Sequence, residues 1–152
     1  MLVIDLDGES ATATLGERLA ALAKPGDVLA LRGDLGAGKT ALARAFVRAY
    51  TGRSNEDVPS PTFTLVQMYE GPRGECWHFD LYRLARAEDA RELDVEEAFA
   101  NAVSLIEWPE RLEGLLPTRA LQVEIGFADH PSCRRARLTG WNERLKDGFN
   151  ER

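Results

Sequence analysis

The sequence of 152 residues has the length of one domain with a sizeable core, and its 44% hydrophobic and 29% charged residues are typical of a globular protein. Its 19 basic and 25 acidic residues give a net charge of −6, which argues against broad nucleic-acid binding, because such binding requires clustered Lys and Arg. Cys76 and Cys133 lack metal-like spacing and are expected to be free thiols. With no pattern of a signal peptide and no long apolar run, the sequence predicts a cytoplasmic protein.

The first two predicted elements are a strand and a helix. The apolar residues within 2–6 predict an edge strand. Ser10 or Thr12 is the expected N-cap of the helix that follows, and Pro25 with Gly26 is expected to end it. The apolar face of this helix consists of Leu15, Leu19 and Leu22.

A phosphate-binding motif comes next, at residues 33–40. Its sequence, Gly-Asp-Leu-Gly-Ala-Gly-Lys-Thr, fits G-x-x-x-x-G-K-S/T at every fixed position. The apolar run 28–31 before it predicts a buried strand, and Gly52 is the expected C-cap of the helix after it. The residues that recur at helical spacing are Leu42, Ala45, Phe46, Ala49 and Tyr50. A strand, a glycine-rich loop and a helix in this order predict a site for nucleotide phosphates.

Each part of this motif has an expected role. Backbone N–H groups of the loop surround phosphate oxygens, and the N-terminus of the helix favours negative charge. Lys39 is expected to reach the β- and γ-phosphates, and the Thr40 hydroxyl is expected to ligate Mg²⁺. The residues expected to contact the nucleotide here are Gly33, Asp34, Leu35, Gly36, Ala37, Gly38, Lys39 and Thr40.

The middle of the chain predicts a loop followed by a hairpin. Residues 53–61 are polar and contain a proline on either side of Ser60, which indicates a restrained loop. Residues 62–69 alternate and predict a strand, 71–74 predict a turn, and 75–80 predict a returning strand. The two strands are expected to pair antiparallel.

The second half of the chain contains an acidic segment and further strands. Residues 85–100 are strongly acidic, which indicates either one or two solvated helices or a docking face for a basic partner. Apolar or alternating residues predict strands at 102–107, 121–127 and 135–139. Residues 140–152 are polar around two aromatic residues and form either a short helix or a frayed tail.

The order of these elements predicts the fold class. Alternating α and β elements with an inserted hairpin indicate a single-domain, three-layer α/β fold of the phosphate-loop NTPase type, on a mixed, mostly parallel sheet. The predicted domain covers residues 1–139, and residues 140–152 are assigned as a C-terminal tail.

Two acidic residues at predicted strand ends are candidates for arranging a metal ion and a water molecule. Nucleotide hydrolysis requires an acid near Mg²⁺ and a group that orients the attacking water. Glu107 is the better candidate, because it lies at the end of an apolar strand and ligands of open α/β sheets bind at strand ends. Asp80 is the other candidate. Ser60 and Thr62 lie where nucleotide switches place a hydroxyl that senses the γ-phosphate.

The remaining polar residues give weaker signals. His78 and His130 are isolated and are expected to be structural or solvated. Arg134, Arg135 and Arg137 form a basic cluster, which is either a solvated strand or a contact for a phosphate or a partner.

Two sequence patterns that are absent argue against particular functions. The absence of Asn-Lys-x-Asp from the sequence argues against guanine-specific binding. The absence of an arginine-rich lid segment argues against a small-molecule kinase, which must cover its acceptor to exclude water. Such a kinase and a non-enzymatic, nucleotide-gated binding module remain the alternatives to an ATPase.

Four segments of the chain share the order and spacing of a known family. They are Gly-Asp-Leu-Gly-Ala-Gly-Lys-Thr at 33–40, Ser-Pro-Thr-Phe-Thr-Leu-Val at 60–66, His-Phe-Asp-Leu-Tyr-Arg-Leu at 78–84 and Ile-Glu-Trp-Pro-Glu at 106–110. Together they closely resemble the TsaE (YjeE) family of small bacterial ATPases needed to make threonylcarbamoyladenosine in tRNA. The resemblance implies a single three-layer α/β phosphate-loop domain that hydrolyses ATP weakly and requires Mg²⁺.

The resemblance also implies roles for individual residues at matching positions. Thr40 and Glu107 should hold Mg²⁺, and Asp80 should be the acid nearest the attacking water. Thr62 should be the switch hydroxyl, and Trp108 should lie beside the nucleotide. The implied catalytic residues are therefore Lys39, Thr62, Asp80 and Glu107. Weaker implied nucleotide contacts are Glu9, Glu110 and Arg134.

Protein partners are implied in the same way. They are the threonylcarbamoyl transferase subunit TsaD and its non-catalytic companion TsaB, which modify the adenosine 3′ of the anticodon in tRNAs reading codons that begin with A. The resemblance implies that the ATPase resets or opens the transferase, so tRNA is involved indirectly and neither a membrane nor a small-molecule acceptor is expected. Ala41 departs from the family, which often has a second Thr there.

Overall fold

The computed structural model describes residues 1–34 and 36–149, which form a sheet with helices on both faces. The strands are β1 (Leu2–Asp7), β2 (Val28–Arg32), β3 (Val66–Gly71), β4 (Gly74–Asp80), β5 (Val103–Glu107), β6 (Leu121–Phe127) and β7 (Cys133–Thr139). The helices are α1 (Glu9–Leu22), α2 (Lys39–Thr51), α3 (Val95–Asn101) and α4 (Asn142–Phe149). Two 3₁₀ segments cover Ala87–Leu93 and Pro109–Leu115.

The strands of the described chain form one mixed sheet in the order β1-β7-β6-β2-β5-β4-β3. Strands β6, β2, β5 and β4 are parallel neighbours, whereas β7 and β3 run opposite to the strands beside them. The predicted mixed, mostly parallel sheet is therefore confirmed. The predicted hairpin is confirmed by the pairing of β3 with β4, and β1 lies at an edge as predicted.

A separate apolar core covers each face of the sheet. One core joins α1, α2 and α4 to the sheet through buried residues such as Leu19, Phe46 and Leu145. The other lies beneath α3 and the 3₁₀ segments and includes Val95 and Leu112. These layers confirm the predicted three-layer α/β architecture. Within the described residues, none of the helices combines the length and apolar character needed to cross a membrane.

The first helix begins differently from the sequence prediction. Helix α1 starts at Glu9, and Gly8 at its N-cap has a φ of 90°. The prediction that Ser10 or Thr12 caps this helix is wrong, because the chain enters through a backbone conformation that glycine adopts without strain. The helix therefore starts before either predicted hydroxyl.

Strand β3 is shorter than predicted. It begins at Val66, so the predicted strand over 62–69 is wrong for residues 62–65. Leu65 has a φ of 70°, and its N–H donates to the carbonyl oxygen of Pro61 at 2.7 Å. This turn interrupts the extended backbone, so the hydroxyl-bearing loop stays off the edge of the sheet.

The acidic segment 85–100 consists of a 3₁₀ segment followed by α3. Its acidic side chains are exposed apart from that of Asp89, which is half-buried. The residues that face the core are Ala90, Val95, Ala98 and Phe99. The interpretation as solvated helices is confirmed, and a docking role stays a prediction.

A helix occupies most of the predicted C-terminal tail. In α4, Leu145 is buried, and the Arg144 guanidinium forms an ion pair with Asp27 at 2.5 Å. Arg144 also donates to the carbonyl oxygen of Leu22 at 3.3 Å, near the end of α1. The short-helix alternative therefore describes residues 142–149, while 150–152 lie outside the described residues.

Gly16 allows α1 to pack closely against α2. A Cβ at this position would lie 2.8 Å from the carbonyl oxygen of Leu42 and 3.1 Å from the Cβ of Ala45. Since the first of these atoms belongs to the backbone, the two helices would have to separate. We expect Gly16→Ala to lower the free energy of unfolding by about 1–3 kcal/mol, measured by urea unfolding. Gly114→Ala is the control, because no atom lies within 4 Å of its added Cβ, and unchanged stability in Gly16→Ala would contradict the close packing.

Candidate functional site

The candidate site lies at the edge where the parallel strands end. Strands β2, β5 and β4 run in the same direction, and Asp80 pairs in register with Glu107 at the ends of β4 and β5. The predicted phosphate loop begins directly after β2, at Gly33. Ligands of open α/β sheets bind beyond the carboxyl ends of the strands. The fold therefore brings the motif and both candidate acids to this edge.

The glycines of the phosphate loop adopt left-handed backbone conformations. The φ angle is 149° at Gly33, 83° at Gly36 and 113° at Gly38. A Cβ at Gly33 would overlap the carbonyl oxygen of Ile125, so this position also requires glycine for a close approach. Helix α2 begins after Gly38 without a side-chain cap from the described residues, which leaves its first N–H groups available to an anion. Leu35, a predicted contact, lies outside the described residues.

The Lys39 side chain lies within the loop and is nearly buried. Its Nζ donates to the carbonyl oxygen of Gly33 at 2.5 Å and lies 3.4 Å from the ring centroid of Trp108. Burial lowers the pKa of Lys39, because a buried ammonium loses hydration. The carboxylates that oppose this shift are Glu107, Glu110, Asp80 and Asp34. The cleft is therefore a site where a buried cation faces several anions.

The Glu107 carboxylate connects the first turn of α2 to β4. The Thr40 hydroxyl donates to Glu107 Oε1 at 3.0 Å, and His78 Nε2 lies 2.7 Å from Glu107 Oε2. Glu107 is 2% exposed and His78 is fully buried. His78 Nδ1 has no hydrogen-bond partner among the described residues. Contacts on both sides fix the orientation of this carboxylate toward the start of the phosphate-loop helix.

The Asp80 carboxylate organises the proline-restrained loop. Its Oδ2 accepts hydrogen bonds from the hydroxyls of Ser60 at 3.1 Å and Thr62 at 3.2 Å. Its Oδ1 accepts a hydrogen bond from the N–H of Tyr82 at 3.1 Å. The hydroxyls of Ser60 and Thr62 also lie 3.0 Å apart. The two predicted hydroxyls and the second candidate acid thus form one cluster.

Helix α2 also holds the start of this loop. Arg44 Nε donates to the carbonyl oxygen of Val58 at 3.2 Å, and Arg48 Nε donates to that of Glu56 at 2.9 Å. The Val58 side chain is buried. The loop is therefore fixed to the phosphate-loop helix on one side and to Asp80 on the other.

These groups border one cleft of about 280 Å³. Its lining consists of Gly36, Gly38, Lys39, Thr40, Ala41, Ser60, Thr62, Asp80, Glu107 and Trp108. The fold brings together the phosphate loop, both acids, the loop hydroxyls and an aromatic ring, which are the groups that the sequence assigns to a nucleotide site.

Comparison with known proteins decides the family. The family model described as threonylcarbamoyl adenosine biosynthesis protein TsaE matches residues 6–136, which is most of the chain. The chain belongs to the TsaE family. The resemblance of the four sequence segments is thereby confirmed, and the chain is a member of a family of tRNA threonylcarbamoyladenosine biosynthesis proteins.

Individual TsaE proteins match over most of their length. The chain is 40% identical to TsaE of Rickettsia bellii over 124 residues, covering 82% of this chain and 85% of the relative. It is 38% identical to TsaE of Bacillus subtilis over 115 residues, covering 75% of this chain and 70% of the relative. The crystal structure of Bacillus subtilis YdiB superposes with a TM-score of 0.78 at 29% identity, covering 97% of this chain and 93% of that one.

Three residues that the TsaE resemblance implies as nucleotide contacts lie outside the cleft lining. Glu9 is exposed at the start of α1, and Glu110 forms an ion pair with Arg32 at 3.6 Å. The Arg134 guanidinium lies 4.3 Å from the ring centroid of Phe127. A nucleotide would contact these three side chains only if it extended beyond the cleft. Their nucleotide contacts therefore stay predictions.

Sequence reasoning missed two features of this TsaE site. His78 is structural, as one of the two sequence interpretations has it, but its contact with Glu107 was not foreseen. The sequence contains a pattern that predicts this position of His78. It lies two residues before Asp80 and therefore projects to the same face of β4. Arg44 and Arg48 were also missed, although their four-residue spacing on α2 places both on one face.

Proposed function

We propose that the protein is a Mg²⁺-dependent ATPase that acts as a nucleotide switch in forming the threonylcarbamoyl group on the adenosine 3′ of the anticodon, in tRNAs reading codons that begin with A. It acts on the complex of the transferase subunit TsaD with TsaB rather than on tRNA itself. The observation that carries this proposal is the single cleft in which the phosphate loop, the Thr40–Glu107 pair and the Asp80 cluster converge. Membership of the TsaE family supports the biosynthetic role.

The phosphate loop and Lys39 bind the nucleotide phosphates in this proposal. The uncapped N-terminus of α2 offers N–H groups to phosphate oxygens. Lys39 Nζ contacts a carbonyl oxygen and the Trp108 ring, and a phosphate offers this buried ammonium stronger, charge-assisted hydrogen bonds. Trp108 lines the same cleft and gives the nucleotide an aromatic surface.

The Thr40 hydroxyl and the Glu107 carboxylate fit a magnesium site. The described residues contain no group of three or more His, Cys, Asp and Glu side chains that could hold a metal ion. Mg²⁺ nevertheless needs few protein ligands, because it binds through one or two oxygen ligands together with phosphates and waters. His78 orients the carboxylate from the opposite side. When bound, Mg²⁺ neutralises negative charge on the phosphates.

Glu107→Gln tests this metal role. The amide keeps the shape of the side chain but removes the negative charge, so we expect at least about a tenfold higher Mg²⁺ concentration for half-maximal ATP hydrolysis. Titration of hydrolysis with Mg²⁺ measures this change. Glu124→Gln is the control, because Glu124 is an exposed carboxylate on β6. An unchanged Mg²⁺ requirement in Glu107→Gln would remove Glu107 from the metal site.

Asp80 and the loop hydroxyls supply the switch. Asp80 faces the cleft, where its carboxylate can orient the attacking water, and Thr62 senses the γ-phosphate. Loss of the γ-phosphate frees the Thr62 hydroxyl from the nucleotide and changes the affinity for the partner complex. Among the described residues that line the cleft, Lys39 is the only cation and no arginine is present, so intrinsic turnover is slow until a partner contributes.

The affinity of the protein for the TsaD–TsaB complex tests the switch directly. The experiment compares the affinity of the protein for the complex in the presence of a non-hydrolysable ATP analogue with its affinity in the presence of ADP. Mg²⁺ is present in both measurements. At least about a tenfold difference is expected, because only the ATP analogue offers a γ-phosphate to the Thr62 hydroxyl. Equal affinity in the two nucleotides would contradict the switch, even if ATP were hydrolysed.

A further inference from the structure

A phenylalanine beside the cleft is strongly exposed. Phe63 follows Thr62 in the hydroxyl-bearing loop, and it is 81% exposed. The Arg83 guanidinium lies 4.7 Å from its ring centroid. A single exposed aromatic side chain needs no explanation, but this one belongs to a cluster at the mouth of a candidate site.

Tyr82 and Arg83 extend this surface from a fixed turn. Leu81 and Leu84 are buried on either side of them, and the N–H of Leu84 donates to the carbonyl oxygen of Leu81 at 3.0 Å. Tyr82 is 45% exposed, and Arg83 is also exposed. Because the buried leucines fix the turn, the backbone that carries both side chains is positioned before any partner binds, which lowers the entropy cost of binding.

Arg111 completes the surface. Its guanidinium lies 5.9 Å from the ring centroid of Tyr82. Phe63, Tyr82, Arg83 and Arg111 are named the aromatic–arginine patch. Within residues 1–34 and 36–149, neither arginine of the patch forms an ion pair. Both positive charges are therefore available to carboxylates of another molecule.

We propose that the aromatic–arginine patch docks a protein partner that offers an apolar socket to Phe63 and carboxylates to Arg83 and Arg111. Aromatic residues and arginine dominate protein–protein hot spots. The net charge of −6 and the acidic segment 85–100, which begins two residues after Arg83, oppose binding of RNA phosphates. This inference rests on the proposed function, because the partner is the complex on which the nucleotide switch acts.

The patch is linked to Asp80 from two directions. Thr62, next to Phe63, donates to Asp80 Oδ2 at 3.2 Å. The N–H of Tyr82 donates to Asp80 Oδ1 at 3.1 Å. A partner that holds Phe63 and Tyr82 therefore fixes two of the donors that orient the Asp80 carboxylate. Docking at this patch thereby fixes the Asp80 carboxylate and accelerates hydrolysis, alongside the positive charge that the partner contributes to the cleft.

The test measures affinity for the TsaD–TsaB complex and ATP hydrolysis in the wild type, Phe63→Ala, Arg83→Glu and Met68→Ala. Met68 is the matched control, since it is 57% exposed on β3 but outside the patch. We expect wild-type basal hydrolysis in all three variants. In Phe63→Ala and Arg83→Glu, affinity for the complex falls at least about thirtyfold and stimulation is lost, whereas Met68→Ala behaves as the wild type.

Several results would overturn this inference. Wild-type affinity in both patch variants would remove the patch as the docking surface and leave the proposed function intact. Lower basal hydrolysis in Phe63→Ala, with unchanged affinity, would assign Phe63 to the catalytic loop instead. Direct tRNA binding that both patch variants lose would make the patch an RNA surface. Failure of the wild-type protein to bind the complex would overturn the proposed function and, with it, the partner.

Discussion

Replacing Lys39 with alanine is expected to lower Mg²⁺-dependent ATP hydrolysis at least about a hundredfold and to weaken ATP binding. The Lys39 ammonium is nearly buried at the phosphate loop. Burial lowers its pKa by more than the surrounding carboxylates raise it. Its removal takes away the one cationic side chain among the described residues that line the cleft, so the phosphates face Glu107 and Asp80 with Mg²⁺ alone to offset their charge. Steady-state hydrolysis and calorimetric titration with ATP measure the two effects.

Lys24→Ala is the control for this change, because Lys24 is exposed just after α1 and lies outside the cleft. The urea concentration at the midpoint of unfolding should stay within a few tenths molar of the wild-type value in both variants. A loss of activity is then not caused by a loss of the fold. Wild-type hydrolysis in Lys39→Ala would contradict the assignment of the loop as the phosphate site.

Asp80→Asn is expected to lower ATP hydrolysis about a hundredfold while ATP affinity stays within about threefold of the wild type. The amide has nearly the shape of the carboxylate and can still accept a hydrogen bond from Tyr82, Ser60 or Thr62. It cannot accept a proton or orient water as a carboxylate does. Single-turnover hydrolysis, compared with equilibrium ATP binding, separates the two quantities.

Asp94→Asn is a matched control, since Asp94 is exposed and has a φ of 60°, a conformation that asparagine tolerates. A collapse of ATP binding in Asp80→Asn would show that Asp80 is structural or holds the metal ion. Unchanged hydrolysis would remove it from the reaction altogether.

The phosphate-loop unit could be predicted from the sequence because its signals are local. The apolar run before Gly33 fixes β2, the motif fixes the loop, and Gly52 ends α2 with a φ of 75°. The positions of Asp80 and Glu107 at one edge follow from the parallel direction of β4 and β5, which the alternating α/β pattern also indicates.

The contacts within the site could not be predicted in the same way, because they join residues far apart in the chain. The Ser60 and Asp80 side chains are 20 residues apart, and His78 and Glu107 are 29 apart. Alternation over 62–69 predicts a strand, but it does not show that the Thr62 hydroxyl binds a distant carboxylate and that a turn at Leu65 ends the extended backbone. Tertiary contacts overrode the local pattern here.

Turnover of ATP by the purified protein, alone and with the TsaD–TsaB complex and tRNA, tests the central claim most directly. We predict slow Mg²⁺-dependent hydrolysis by the protein alone and at least about a tenfold increase with the complex, since the cleft lacks a second cation among its described lining residues. Turnover that is indifferent to the complex, or faster phosphate transfer to an added metabolite than to water, would contradict an ATP-driven switch in tRNA modification.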